Sequence, residues 1–182
     1  MMNLMGKIDM KDVITENYQL MFGDCLERMK EIPSGSVDLI LTDPPYGTTQ
    51  NKWDSVIDLE AMWKEVWRVL KPNGATVFTA SQPFTTNLIS SSLSEFRYTL
   101  VWEKQKGSDP LNAKRKPLKS HEDIVIFYKK QPTYNPQFAI GDSYIRKGDC
   151  SVKSENFNKA NKTETVINDG KRYPKSVLKF TS

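Results

Sequence analysis

Four consecutive residues, Asp43, Pro44, Pro45 and Tyr46, combine a carboxylate, a rigid backbone and an aromatic ring. The Asp43 carboxylate and the Pro44 backbone carbonyl are two hydrogen-bond acceptors, and proline fixes the backbone around that carbonyl. Such a pair can hold both N–H groups of an exocyclic nucleobase amine and aim its lone pair at a methyl donor. Tyr46 offers a flat face on which an extruded base can lie. The alternative is that Asp and Pro here merely turn the chain.

The residues before this motif predict the strand that positions it. Residues 37–41 are almost continuously apolar, broken only by Asp38, as is typical of a central parallel strand covered by helices on both faces. Two prolines cannot join a sheet ladder, so the strand must end there. The motif is therefore expected at the carboxyl end of a strand, the edge where doubly wound sheets bind ligands.

The rest of the chain predicts an α/β fold, because strand and helix patterns alternate. Further strands are expected over residues 18–22, 75–79, 98–102 and 124–128, and helices over 24–32, 58–70 and 83–93. Asp24 and Asp58 are the expected N-caps of the first two helices. Residues 103–120 predict a long polar loop, and residues 132–182 an extended, loop-rich region.

Charge divides the chain into an acidic and a basic part. Residues 1–102 carry 13 acidic and 9 basic side chains, whereas residues 103–182 carry 17 basic and 9 acidic ones. A polyanion such as double-stranded DNA would account for this division, and a solvated basic surface is the alternative. The expected phosphate contacts cluster in the predicted loop: Lys104, Lys106, Lys114, Arg115, Lys116 and Lys119.

Several other classes of protein are disfavoured. The two cysteines, Cys25 and Cys150, belong to no Cys/His cluster, so neither a disulfide framework nor a metal site is expected. No apolar run is long enough to span a bilayer, and the first residues lack a signal-peptide pattern. We therefore expect a cytoplasmic protein.

Ordered blocks of sequence resemble a known family, the amino-methylating DNA methyltransferases of bacteria and phages called the β class, many of which serve restriction-modification. The blocks are Gly23-Asp24-Cys25, SVDLILTDPPYG, WRVLKPNG with ATVFTA, YTLVWEKQKGSDPLNAKRKPLKSHEDIVIFYK, and RYPKSVLKF. The resemblance implies a Rossmann-like methyltransferase sheet, with a catalytic domain over residues 1–131 and a target-recognition region over 132–182. It also implies S-adenosylmethionine as cofactor and transfer of its methyl group to N6 of a flipped-out adenine, with cytosine N4 as the alternative.

The family's functional positions can be carried over to this chain. Asp43, Pro44, Pro45 and Tyr46 fall on the catalytic motif, and Asp in the first position favours adenine. The acidic Asp24, with Cys25 beside it, and Asp43 fall where the family contacts its cofactor, although Asp24 could be only a helix cap. A block resembling the lining of the target-base pocket contains Asn112, Lys116, Pro117, His121 and Glu122. For His121 we expect a structural role rather than that of a general base.

One departure from the family pattern limits these expectations. Family members carry, after the RYPKSVLKF-like segment, an HPTQKP motif and a glycine-rich F-x-G-x-G loop for the cofactor, and this sequence contains neither. The resemblance therefore implies an incomplete sheet with exposed or partner-covered neighbours and weak cofactor binding by the isolated chain. The alternatives are one part of a split enzyme, completed by a second chain or a homodimer, and an inactive DNA-binding remnant. A methyltransferase acting on protein glutamine or RNA is a third, less favoured alternative.

Overall fold

The computed structural model describes residues 11–49, 51, 54–148 and 165–180, and the chain forms two compact units. The larger unit comprises Met1–Thr133 and Val177–Ser182, and the smaller one Tyr134–Ser176. The sequence placed residues 177–182 in the C-terminal region, whereas here they belong to the larger unit. Cys150 and residues 149–164 of the predicted target-recognition region lie outside the described residues.

The elements alternate as expected for an α/β fold. The helices are α1 (Cys25–Arg28), α2 (Leu59–Val69) and α3 (Phe84–Ser91), with 3₁₀ turns at Met29–Glu31 and Pro110–Asn112. The strands are β1 (Val13–Ile14), β2 (Gln19–Leu20), β3 (Val37–Thr42), β4 (Leu70–Ala80), β5 (Phe96–Ser108), β6 (Lys119–Phe127), β7 (Ala139–Ile140), β8 (Tyr144–Arg146), β9 (Val166–Asn168), β10 (Lys171–Arg172) and β11 (Val177–Lys179).

A mixed five-stranded sheet forms the centre of the larger unit. Its strand order is β11-β5-β6-β4-β3. The pairs β3–β4 and β5–β11 are parallel, and β6 is antiparallel to both of its neighbours. The α/β prediction is confirmed, and the carboxyl ends of β3 and β4 lie side by side at one edge of this sheet.

The core lies between this sheet and the helices α2 and α3. Along β4 the buried residues alternate, with Thr76, Phe78 and Ala80 facing inward. The aromatic centre is formed by Trp63, Phe78, Phe84, Phe96 and Phe127. The predicted cap of α2 is confirmed, since Asp58 accepts hydrogen bonds from the backbone N–H groups of Glu60 and Ala61.

The strand before the motif differs from its prediction. Among the described residues β3 is an edge strand that pairs only with β4, not a central strand covered on both faces. The side chains of Leu39 and Leu41 are 55% and 71% exposed. The predicted strand over residues 18–22 is likewise reduced to β2, which pairs with β1 in a separate two-stranded ribbon.

The basic segment after residue 102 is part strand and part turn. Strands β5 and β6 pair from Phe96 opposite Phe127 to Ser108 opposite Lys119, with two irregularities. The turn between them therefore spans only residues 109–118. The turn is thus shorter than the loop predicted over 103–120, because residues 103–108, which are polar and carry no apolar alternation, extend β5.

The smaller unit consists of short ribbons within its described residues. Strand β7 pairs with β10, and β8 pairs with β9, both antiparallel. The rings of Phe138 and Tyr173 meet edge to face, with their centroids 4.8 Å apart, and the Arg172 guanidinium lies over the Tyr144 ring. None of the helices in the described parts of the chain has the length and apolar character needed to cross a membrane.

Candidate active site

The register between β3 and β4 brings the motif beside Thr79. Thr42 pairs with Phe78, so the next residue of each strand, Asp43 and Thr79, stand level at the sheet edge. The Thr79 hydroxyl donates a hydrogen bond to Asp43 Oδ1. The Tyr46 hydroxyl lies 2.7 Å from the same carboxylate oxygen and 2.9 Å from Thr79 Oγ1. One oxygen of the Asp43 carboxylate is thus held by two hydroxyl groups.

Two acceptors of the motif remain available for a ligand. Within the described residues, neither Asp43 Oδ2 nor the Pro44 carbonyl is engaged in a hydrogen bond. Asp43 is exposed, whereas Pro44 is buried and so holds its carbonyl on a fixed backbone. The arrangement can accept both N–H groups of one amine, as the motif predicts.

Tyr46 is fixed by packing as well as by its hydroxyl. Its ring is stacked on Phe84, the first residue of α3, with a centroid distance of 5.5 Å and an angle of 25° between the planes. Partial burial raises the pKa of the Tyr46 phenol, and the charges of Asp43 and Glu122 act in the same direction. The phenol is therefore a hydrogen-bond donor at neutral pH.

A clamp at Asp54 shapes the loop that follows the motif. Its carboxylate, only 8% exposed, accepts hydrogen bonds from the backbone N–H groups of Gly47 at 2.8 Å and Thr49 at 2.6 Å. The hydrogen bond from the Thr49 side chain is the main cause that lowers the pKa of Asp54. Gly47 has a φ of 68°, and a Cβ atom there would lie 2.7 Å from a methyl group of Val56.

Motif and loop together line an open cavity. Its volume is about 290 Å³, near the lower limit of roughly 300 to 1,000 Å³ that is usual for ligand pockets. The lining residues are Asp43, Pro44, Pro45, Tyr46, Thr48, Thr49 and Asp54. Sequence reasoning found the four motif residues but missed Thr79, Phe84 and Asp54. Thr79 was foreseeable only as the end of the next strand, and Asp54 carried no signal.

Asp24 and Cys25 are adjacent to α1. Asp24 Oδ1 accepts hydrogen bonds from the backbone N–H groups of Leu26 and Glu27, so the predicted cap is confirmed. Asp24 Oδ2 forms no hydrogen bond within the described residues, and Cys25 is an exposed free thiol. Neither residue lines the cavity at Asp43.

The block expected to surround the target base is not part of the cavity lining either. Asn112 donates a hydrogen bond to Asp109 in the β5–β6 turn, and Lys116 and Pro117 are exposed in the same turn. His121 is exposed on β6, opposite Glu103. Of this block only Glu122 is tied to the site, through the effect of its charge on Tyr46.

The six basic residues fall into two groups of three. Lys104 pairs with Glu122 and lies over the Trp102 ring, Lys116 pairs with Asp109 at 2.6 Å, and Lys119 donates to the Ser81 hydroxyl. The side chains of Lys106, Lys114 and Arg115 are exposed and have no acidic partner among the described residues. We call these last three the hairpin cations.

The comparison with protein families identifies the chain. The family model described as DNA methylase, which covers N6- and N4-methyltransferases, matches residues 37–178. The chain belongs to this family. The match includes the motif, Thr79, Asp54 and the hairpin cations, and it confirms the family resemblance seen in the sequence.

Two relatives and one solved structure illustrate the likeness. The DNA adenine methyltransferase YhdJ of Escherichia coli strain K12 is 32% identical over 128 residues, which cover 63% of this chain and 42% of YhdJ. The type II methyltransferase M.HpaI of Haemophilus parainfluenzae is 26% identical over 144 residues, which cover 70% of this chain and 45% of M.HpaI. The chain thus spans less than half the length of either relative.

The structure of the cytosine-N4-specific PvuII DNA methyltransferase superposes with a TM-score of 0.53 and 15% identity. The superposition covers 88% of this chain and 56% of that one. At this identity the likeness concerns the fold alone. It supports assignment of the mixed sheet to the Rossmann-like methyltransferase class.

Proposed function

We propose that this chain provides the base-binding and amine-activating part of a DNA methyltransferase that methylates adenine at N6, with S-adenosylmethionine as methyl donor. The observation that carries the proposal is the pair of unengaged acceptors, Asp43 Oδ2 and the Pro44 carbonyl, beside a half-buried aromatic ring in an open cavity. The proposal extends to methyl transfer by the chain alone, with the weak cofactor binding that the sequence predicts.

The motif activates the amine by orienting it. The lone pair of an exocyclic amine is delocalised into the base, which makes the nitrogen a poor nucleophile. Asp43 Oδ2 accepts one N–H and the Pro44 carbonyl accepts the other, which draws the nitrogen toward a tetrahedral geometry. Tyr46 supports the base by stacking, which is worth roughly 1 to 3 kcal/mol. The exposure of Asp43 leaves a path to water for the proton that the amine loses.

The carboxylates of the chain fit the proposed cofactor in part. S-adenosylmethionine supplies a methyl group activated by a positively charged sulfur. Asp24, through the oxygen that does not cap α1, offers an acceptor for hydroxyl or ammonium groups, and Asp43 provides negative charge at the cavity. Within the described residues no hydrogen bond links Asp24 with the motif, so we assign the two carboxylates to separate contacts with the cofactor.

DNA is the proposed partner, held by the β5–β6 hairpin. Lys106 lies on β5, and Lys114 and Arg115 lie in the β5–β6 turn, beyond the part of β6 that pairs with β4. Exposed cations without acidic partners are suited to phosphate contacts, which position a duplex without reading its sequence. Adenine is favoured over cytosine by Asp at the first motif position and by the similarity to a relative named as an adenine methyltransferase.

A genomic methylation assay tests the proposed function. The full chain is expressed in a bacterial host whose DNA contains neither N6-methyladenine nor N4-methylcytosine, and both nucleosides are quantified by mass spectrometry. N6-methyladenine is expected with the wild-type chain and is expected to be absent with Asp43→Ala. Asp38→Ala is the matched control. Asp38 lies near the start of β3, at the end of the strand remote from Asp43, and forms an ion pair with Lys71.

The possible results separate the alternatives. N4-methylcytosine in place of N6-methyladenine would overturn the choice of base but retain the reaction. Absence of both nucleosides in the presence of folded wild-type protein would overturn the proposal for this chain. Equal methylation by Asp43→Ala and wild type would refute the role of the motif.

A further inference from the structure

The hydroxyl of Thr79 contacts both the first and the last residue of the motif. It donates to Asp43 Oδ1 and lies 2.9 Å from the Tyr46 hydroxyl. Each hydroxyl has one proton, so Thr79 gives its proton to Asp43, while the Tyr46 proton lies within reach of both oxygens. The direct contact between the Tyr46 hydroxyl and Asp43 Oδ1 is thereby supplemented by a residue that lies 36 positions beyond Asp43.

Thr79 is better fixed than the carboxylate it contacts. It is the penultimate residue of β4, whose backbone is paired with β3 on one side and β6 on the other. Its β-branched side chain restricts rotation about χ1. Asp43, in contrast, is exposed and follows the last residue of an edge strand, so its side chain has few other restraints.

From this geometry we infer that Thr79 is a positioning residue: its hydroxyl holds one oxygen of the Asp43 carboxylate and so aims the other oxygen at the target amine. The inference rests on the proposed function and adds a determinant outside the motif. A rotation of the carboxylate would leave the amine with one acceptor out of line. Such a misplacement of about 1 Å can reduce a rate roughly 100-fold.

Two substitutions at Thr79 separate the hydroxyl from the shape of the side chain. Thr79→Val keeps the branched shape and removes the hydroxyl, whereas Thr79→Ser keeps the hydroxyl. Thr76→Val is the matched control on the same strand, because the Thr76 hydroxyl is buried without a hydrogen-bond partner among the described residues.

The first readout is single-turnover methylation of DNA by the full chain. We expect Thr79→Val to lower the rate constant roughly 10- to 100-fold without weakening DNA binding. The rate constants of Thr79→Ser and Thr76→Val are expected to stay within about 3-fold of the wild type. Thr79→Ser keeps a hydroxyl that can donate to Asp43, and Thr76→Val leaves Thr79 itself unchanged. An unchanged rate for Thr79→Val in an active wild type would overturn the inference and leave the proposed function standing.

The second readout needs no activity and covers the case in which the wild type fails to methylate. A double-mutant cycle of Thr79→Val with Tyr46→Phe measures the coupling of the two hydroxyls in urea unfolding. A shared network predicts that the unfolding equilibrium constants deviate from additivity by roughly 2- to 13-fold. Additive effects would overturn the network and with it the inference, whatever the fate of the proposed function.

Discussion

Removal of the hairpin cations should weaken DNA binding in a way that salt can measure. Lys106, Lys114 and Arg115 have no acidic partner among the described residues, so each is free to neutralise one phosphate. The logarithm of the DNA-binding constant falls linearly with the logarithm of the salt concentration. The slope of this line becomes shallower by about 0.9 for each phosphate contact that is removed. Replacement of all three by alanine should therefore reduce the slope by about 2.7.

This slope corresponds to a large difference in salt sensitivity. Between 50 and 200 mM salt the affinity of the wild type should fall roughly 40-fold more than that of the triple variant, if all three contacts are made. The assay is fluorescence anisotropy with a labelled duplex at four salt concentrations. Because phosphate contacts carry no sequence information, the duplex need not contain the recognition sequence.

A control of equal charge distinguishes local contacts from net charge. Lys64, Lys129 and Lys130 are exposed and lie on α2 or just after β6, away from the β5–β6 turn. Their triple alanine variant loses the same three positive charges, and its slope should match that of the wild type within about 0.5 unit. Equal slopes for the two triple variants would refute the assignment of the hairpin as a DNA contact.

Two further predictions concern stability and use urea unfolding of the full chain. Thr76→Val should raise the free energy of unfolding by about 1 to 3 kcal/mol, because it removes a buried hydroxyl that has no partner among the described residues, and a loss of stability would contradict this. Asp54→Asn should flatten the loss of stability in acid. The pKa of Asp54 is lowered in the fold from its ordinary value of 3.8. The ionised carboxylate therefore stabilises the protein fully at pH values above this ordinary pKa, and the stabilisation is lost as the pH falls below it. Parallel pH profiles of variant and wild type would exclude a role for Asp54.

Local patterns predicted the parts of the fold that neighbouring residues determine. Helix α2 follows from its apolar spacing and the cap at Asp58, and the structure has both. The end of β3 follows from Pro44 and Pro45. The prediction that β3 is a central strand failed, since its apolar run has the composition of a strand buried on both faces, while Leu39 and Leu41 are exposed here.

The sequence shows where basic residues are concentrated but not which of them form ion pairs. The basic segment was visible in the sequence, but ion pairs depend on which residues the hairpin brings together. Glu122 faces Lys104 because β6 pairs with β5, and Asp109 faces Lys116 within the β5–β6 turn. These ion pairs determine which cations are left without an acidic partner. They depend on the pairing register of β5 and β6, which could not be read from local sequence patterns.

Strand register is also the condition for the chemistry at the motif. Side chains of a strand alternate between faces, so burial of Phe78 and Ala80 against the helices turns Thr79 to the opposite face. Because Thr42 pairs with Phe78, Asp43 turns to that same face. A slip of one residue would reverse the face of every side chain on β4 and separate Thr79 from Asp43. The aromatic core therefore stabilises the fold and, through the register it enforces, determines the direction in which the Asp43 carboxylate points.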